Sequence, residues 1–198
     1  MTGRARFLPF LLLLLSACSG TVRTPPPPEP PAQPIALAVG RVEIEARGRL
    51  PEAATFIDRR RSQELAEKAK GYLRRRVRAA GGPGYARLLL SEASLLERRR
   101  PTTGGISGWF LREADRVLEA TLAARISIHD ADGFERAFAE ARVTRHRPVL
   151  EATSVVERDA IAGRLSRDLL LDLEAALRRA IEENLAPYLS LEAPAGAP

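Results

Sequence analysis

One cysteine, Cys18, closes the most apolar run of the chain, which reads Phe7 to Leu15 and then Ser16-Ala17. A thiol is the side chain best suited to forming a stable covalent bond with an incoming group. Everything else that could do chemistry is sparse. The two histidines, His129 and His146, have only Asp130 and Asp132 near them in sequence, which is not the spacing of a metal site. Aspartates in "DADG" are expected to serve a turn. Gly104-Gly105-Ile106-Ser107-Gly108 is glycine-rich, yet it lacks the Lys-Ser/Thr of a phosphate loop and opens no helix. No serine stands in a Gly-x-Ser-x-Gly elbow. The pattern points away from an enzyme and implies no metal and no cofactor. With one cysteine, no internal disulfide can form, so packing must hold the fold.

The residues before Cys18 have the layout of an export signal. Arg4 and Arg6 give a short positive start, the apolar stretch follows, and Ser16 and Ala17 are small. The apolar stretch is about half of the roughly 20 residues that a membrane-spanning helix needs. Residues 1–17 are therefore expected to be a cleaved signal peptide. Leu15-Ser16-Ala17-Cys18 resembles the lipobox of bacterial lipoproteins. In that family the cysteine thiol receives a diacylglycerol, the peptide is cut before it, and the new amino group is acylated. The resemblance implies that Cys18 is the lipid-bearing first residue of the mature chain. It implies palmitate-type acylation and a membrane held through that lipid. Two or more acyl chains make a stable anchor, whereas one binds reversibly. Ser19, where inner-membrane lipoproteins of enteric bacteria carry aspartate, implies the periplasmic face of the outer membrane.

Residues 24–34 read "TPPPPEPPAQP". Proline fixes φ and removes an N–H, so this stretch is expected to be a solvated polyproline II spacer. Residues 18–34 form the tether, with a reach of roughly 50 Å at about 3.1 Å per residue. The whole chain carries +6, and loss of residues 1–17 removes two arginines from that. The excess is mild and dispersed, so no nucleic-acid partner is expected. Lys68 and Lys70 are the only lysines. The arginine runs at 59–61 and 74–76 read as solvated helix faces.

The remaining segments must position whatever the protein presents. Residues 35–46 alternate as a first strand, with a phase slip at Gly40 that reads as a bulge. Residues 59–80 read as a helix, with Leu65, Ala69, Tyr72, Leu73, Val77 and Ala80 on one stripe, stopped by Gly81-Gly82-Pro83. Residues 85–98 suit a second strand. Residues 117–129 alternate cleanly, with Leu118, Ala120, Leu122, Ala124, Ile126 and Ile128 on one face. Asp132-Gly133 then makes a hairpin turn into residues 134–147, with Ala137, Ala139, Ala141 and Val143 inward. Ser154-Val155-Val156-Glu157 is a capping box. It opens a long helix striped by Ile161, Leu165, Leu169, Leu173, Leu177, Ile181 and Leu185 and ended by Pro187.

The expected fold is α+β with two layers. A mainly antiparallel sheet of about four strands is covered by two helices, in the order strand-helix-strand-strand-strand-helix. Residues 35–189 form this single domain, and 190–198 a frayed tail. A lipobox followed by this order is similar to the lipopolysaccharide-assembly lipoprotein of the outer-membrane translocon and to auxiliary lipoproteins of lipid-trafficking ABC transporters. A "GWF" segment and the final "LLLDLEAALRRAIEENL" also look like uncharacterised alphaproteobacterial lipoproteins. What these likenesses imply is a lipid-anchored, non-catalytic accessory protein of an envelope assembly or lipid-transport complex, with an envelope protein as partner. The rival expectation is a periplasmic binding module for a lipid or glycan held between sheet and helices. Trp109 and Phe110, beside the glycine-rich connection, read either as a core anchor or as a partner contact.

Overall fold

The computed structural model describes residues 33–48, 54–99, 116–150 and 152–190. The chain divides into Met1–Ala32 and Gln33–Pro198, and all described residues belong to the second unit.

Six strands and two helices follow in the order β1 (Ile35–Leu37), β2 (Arg41–Ala46), α1 (Phe56–Arg76), β3 (Val77–Ala79), β4 (Tyr85–Arg99), β5 (Arg116–His129), β6 (Glu135–Val149) and α2 (Val155–Asn184). A 3₁₀ turn, Ala186–Tyr188, follows α2. The main sheet has the order β2-β4-β5-β6. Its β4-β5 and β5-β6 pairs are antiparallel, and β2 joins β4 in parallel through the α1 crossover. This is the α+β two-layer architecture the alternation predicts.

The expected single strand over 35–46 is two strands in two sheets. β1 pairs with β3 in parallel, not with β4. The chain steps between the sheets at Ala38–Gly40, so the phase slip at Gly40 marks a change of sheet and not a bulge. A side chain there would press on the neighbouring backbone. A Cβ on Gly40 would lie 3.1 Å from the Gly82 carbonyl oxygen.

The first helix also differs from its expected span of 59–80. It begins three residues earlier, because Thr55 and Asp58 form a capping box. It ends at Arg76, and Val77 enters β3 with no intervening loop. Leu65, Ala69, Leu73 and Val77 are buried as expected, but Val77 is buried as a strand residue and Ala80 is exposed. The three-stranded meander is close to expectation. It carries a bulge between Leu90 and Glu92, where β2 runs out. α2 closes before Pro187, which lies in the 3₁₀ turn. Ser190 belongs to the fold rather than to a tail, because its N–H donates to the Ala36 carbonyl at 3.0 Å.

One hydrophobic core fills the space between sheet and helices. It unites Leu88, Leu90 and Leu95 of β4, the six inward residues of β5, and Leu165, Leu169, Leu173, Leu177 and Ile181 of α2. Leu122, Ile126, Leu169, Leu173 and Leu177 are all fully buried, which is the inward face the alternation and the four-residue spacing require. β5 has 14 residues and α2 has 30, so both are about 45 Å long and the helix can cover the strand end to end.

β2 has only 6 residues against 15 in β4, which leaves the second half of β4 without a strand partner on that side. α1 supplies one from its side chains. Leu95 N donates to Ser62 Oγ at 2.9 Å, and Glu97 N donates to Asp58 Oδ1 at 3.0 Å. Buried backbone donors need such partners, and this explains why polar Asp58 and Ser62 are buried in α1.

Candidate functional site

Cys18, Trp109, Phe110 and the Gly104–Gly108 connection lie outside the described residues. The histidines are described, and the fold keeps them apart. His146 sits opposite Glu119 near the start of β5, and His129 ends that strand, so about 33 Å of strand separates them. His129 stacks on Tyr85 with ring centroids 4.7 Å apart. Its Nδ1 lies 3.1 Å from the Gly133 carbonyl oxygen, which can only accept, so Nδ1 carries the proton. Its Nε2 then accepts from the Ser127 hydroxyl at 2.9 Å. Both nitrogens are engaged in closing a hairpin.

Asp130 is a turn residue. Its Oδ1 accepts from the Asp132 and Phe134 N–H groups and its Oδ2 from Arg136. Partial desolvation pushes its carboxyl up, but the backbone and Arg136 hydrogen bonds outweigh that and hold it below the usual aspartate range. Among the described residues, no group of three or more His, Cys, Asp or Glu could hold a metal ion.

Two polar clusters join the layers. At the end where both helices begin, Glu97 Oε1 accepts from Arg116 at 3.0 Å and from Arg158 at 2.8 Å. Its Oε2 accepts from Arg61 at 3.3 Å, and Arg61 also donates to Asp159 Oδ1 at 2.8 Å. At the C-terminal end of α1, Glu174 of α2 accepts from Tyr72 and Arg76 of α1 and from Arg178. Burial alone would raise the Glu174 carboxyl, yet the bonds from Arg76 and Tyr72 hold it below its ordinary value. The same burial and the same carboxylate push the Tyr72 hydroxyl up to about 12. These carboxylates are committed to guanidinium groups on neighbouring elements and act as fasteners.

The surfaces that remain open were not legible as sites. A crevice of about 320 Å³ lies between the helices, lined by Arg60, Arg61, Glu64, Lys68, Asp159 and Ser166 over Leu65 and Leu95. It is a charged cleft, unlike the deep apolar cavity that a lipid-holding module calls for. At the end where both helices begin, Phe56, Ile57, Val155 and Val156 are exposed. They occupy the first two helical positions after Thr55 and Ser154, so "TFID" and "SVVE" are matching capping boxes that each present two apolar side chains. That repetition was a usable sequence signal. Beside the other edge, β6 and α2 enclose a trough of about 430 Å³, lined by Arg147, Pro148, Ile161, Arg164, Arg167 and Asp168.

The described residues include no helix long and apolar enough to cross a membrane. No protein-family model matches the chain, and no curated protein does. Solved structures of similar shape include the minor lipoprotein from Acinetobacter baumannii, at 14% identity and a TM-score of 0.42, covering 79% of this chain and 99% of that one. Rare lipoprotein B from Shewanella oneidensis is 10% identical with a TM-score of 0.39, covering 72% of this chain and 95% of that one. The chain is thus similar to bacterial lipoproteins of known structure, and at these scores the likeness carries nothing about activity or partner.

Proposed function

We propose that this protein is a lipid-anchored, non-catalytic accessory protein of an envelope assembly or lipid-transport complex. It is held through Cys18 on the periplasmic face of the outer membrane. The observation that carries the reading is the order Leu15-Ser16-Ala17-Cys18, then the proline-rich spacer, then a first strand gripped on both sides by the fold. A lipid on Cys18 would pull on the spacer, and the spacer would pull on β1. Its accessory character is supported by polar clusters that are spent on fastening the layers. Trp109 and Phe110, which lie outside the described residues, are proposed as part of the partner contact, with a core anchor as the rival reading.

The test has two arms. Cys18→Ala is expected to abolish metabolic palmitate labelling and leave the precursor uncut; undiminished labelling would sink the anchor. Chemical cross-linking in intact cells, followed by affinity purification of the wild-type protein from detergent-solubilised envelope, is expected to recover one stoichiometric envelope protein. Recovery of the protein alone, with a lipid or glycan bound, would favour the binding-module reading instead.

A further inference from the structure

The two long edges of the main sheet are treated differently. The open half of β4 is closed by Asp58 and Ser62 of α1. β6 pairs with β5 over its whole length, and among the described residues its other edge pairs with nothing. That leaves a 15-residue strand whose outward N–H and C=O groups have no strand partner among the described residues. Charged residues are the usual guard for such an edge, and β6 has them, but the main ones are already engaged. Arg142 binds Glu92, and Arg145 binds Asp172. Arg125 of β5 holds both Glu135 and Glu140.

The trough beside this edge has a definite chemistry. Ile161 gives it an apolar floor, and Arg147, Arg164 and Arg167 give it cations. Asp168 is the one acid there, and it is shared between Arg145 and Arg147. Arg164 and Arg167 are exposed and make no ion pair among the described residues. Pro148 offers no N–H, so a strand added on the open edge would pair with the residues before it. The trough meets β6 at Arg147 and Pro148, so a chain laid against Glu140–Arg147 would send the side chains beside that end into the trough and the alternate ones onto the outer face of the sheet.

We propose that the open edge of β6 accepts an extended acidic segment of a partner protein as a fifth strand. Its backbone would satisfy β6. Its trough-facing side chains would include an apolar residue over Ile161 and carboxylates against Arg147, Arg164 and Arg167. This recognition mode draws affinity from main-chain hydrogen bonds and selectivity from alternate side chains. The inference rests on the accessory-protein reading and names the surface that such a protein would use.

The probe is a synthetic peptide of about eight residues, added to the full chain in detergent micelles, whose every second position carries glutamate or valine on one face with threonine between them. A matched lysine-valine peptide is the control. Binding of the acidic peptide is expected to slow hydrogen exchange at alternate amides between Glu140 and Arg147. The double variant Arg164→Glu/Arg167→Glu is expected to weaken it by at least about tenfold while leaving the melting temperature unchanged. No binding, equal binding of the lysine peptide, or binding without protection on β6 would each overturn the proposal. Any of those results, with the cross-linked envelope partner still recovered, would remove this surface and leave the accessory reading standing.

Discussion

Glu174 shows how a single side chain is held by the whole domain. It sits in α2, nearly buried, and its partners Tyr72 and Arg76 come from a helix about a hundred residues earlier in the chain. A carboxyl whose folded pKa lies below its unfolded value adds stability that is complete above the unfolded value. That stability is lost as the pH falls through the folded one. Glu174 starts from an ordinary value of 4.5 and is lowered, so its contribution is full at neutral pH and fades in acid below that value. Glu174→Gln is expected to cost about 1–3 kcal/mol at pH 7 and to flatten the acid limb of the stability curve. Urea unfolding across pH 3–7 reads both; an acid limb identical to wild type would show that Glu174 is not the titrating fastener. Leu173, one residue earlier, faces the core and is fully buried. Leu173→Ala is expected to cost about 2–5 kcal/mol by the same measurement. A loss below about 0.5 kcal/mol, the surface range, would place the wrong face of α2 inward.

At the scale of elements, glycines mark where the backbones cross. Gly84 has φ +74, and a Cβ there would fall 2.1 Å from the His129 carbonyl oxygen. Gly133, in the hairpin, has φ +88 with open space around it. Both positions favour glycine for backbone reasons, but only Gly84 also faces a clash. Gly133→Ala is expected to cost about 1–2 kcal/mol, the left-handed strain alone. Gly84→Ala is expected to cost clearly more, because β4 must move off β5 to admit the methyl group. Equal urea midpoints for the two variants would refute the close approach. The helices obey a simpler rule. Both begin at capping boxes, Thr55 with Asp58 and Ser154 with Glu157, and both first turns pack beside Glu97.

At the scale of the molecule, β1 is a short strand that the rest of the domain holds in place. It has three residues, yet it is held on both sides. β3 pairs with it in parallel, and Leu37 bridges to Leu189 beyond α2. Ala38 N donates to the Tyr188 carbonyl at 2.8 Å, and Ser190 N to that of Ala36. Arg178 donates to the Gln33 carbonyl, two residues before β1. Ile35, Leu37 and Val39 are buried, and each such side chain stabilises by about 1.5–3 kcal/mol. A chain beginning at residue 33 is therefore expected to melt cooperatively near the full-length temperature. One beginning at residue 38 is expected to melt at least about 10 °C lower or to lose its sharp transition. Circular dichroism during heating distinguishes them; equal melting temperatures would mean that β1 is an ornament.

What the sequence by itself determined is the part governed by local periodicity. The alternation of Leu118 to Ile128, the returning alanines of β6 and the four-residue leucine spacing of α2 each dictate an element and its buried face, because a buried face needs side chains of one kind at one period. Ser154 and Glu157 likewise mark their own helix start. The lipobox-like Leu15-Ser16-Ala17-Cys18 and the proline-rich run are linear patterns and are read in the same way. Only the tertiary structure decided that residues 35–46 serve two sheets, because both halves alternate correctly and nothing local says which neighbour each will meet. It alone ended α1 at Arg76, since Val77 gains more by pairing with Ile35 than by extending a helix. The tertiary structure also decided that α1 guards one sheet edge with Asp58 and Ser62 while β6 is left open. Edges are made by strand order, and strand order is a property of contacts between distant residues, which no local pattern encodes.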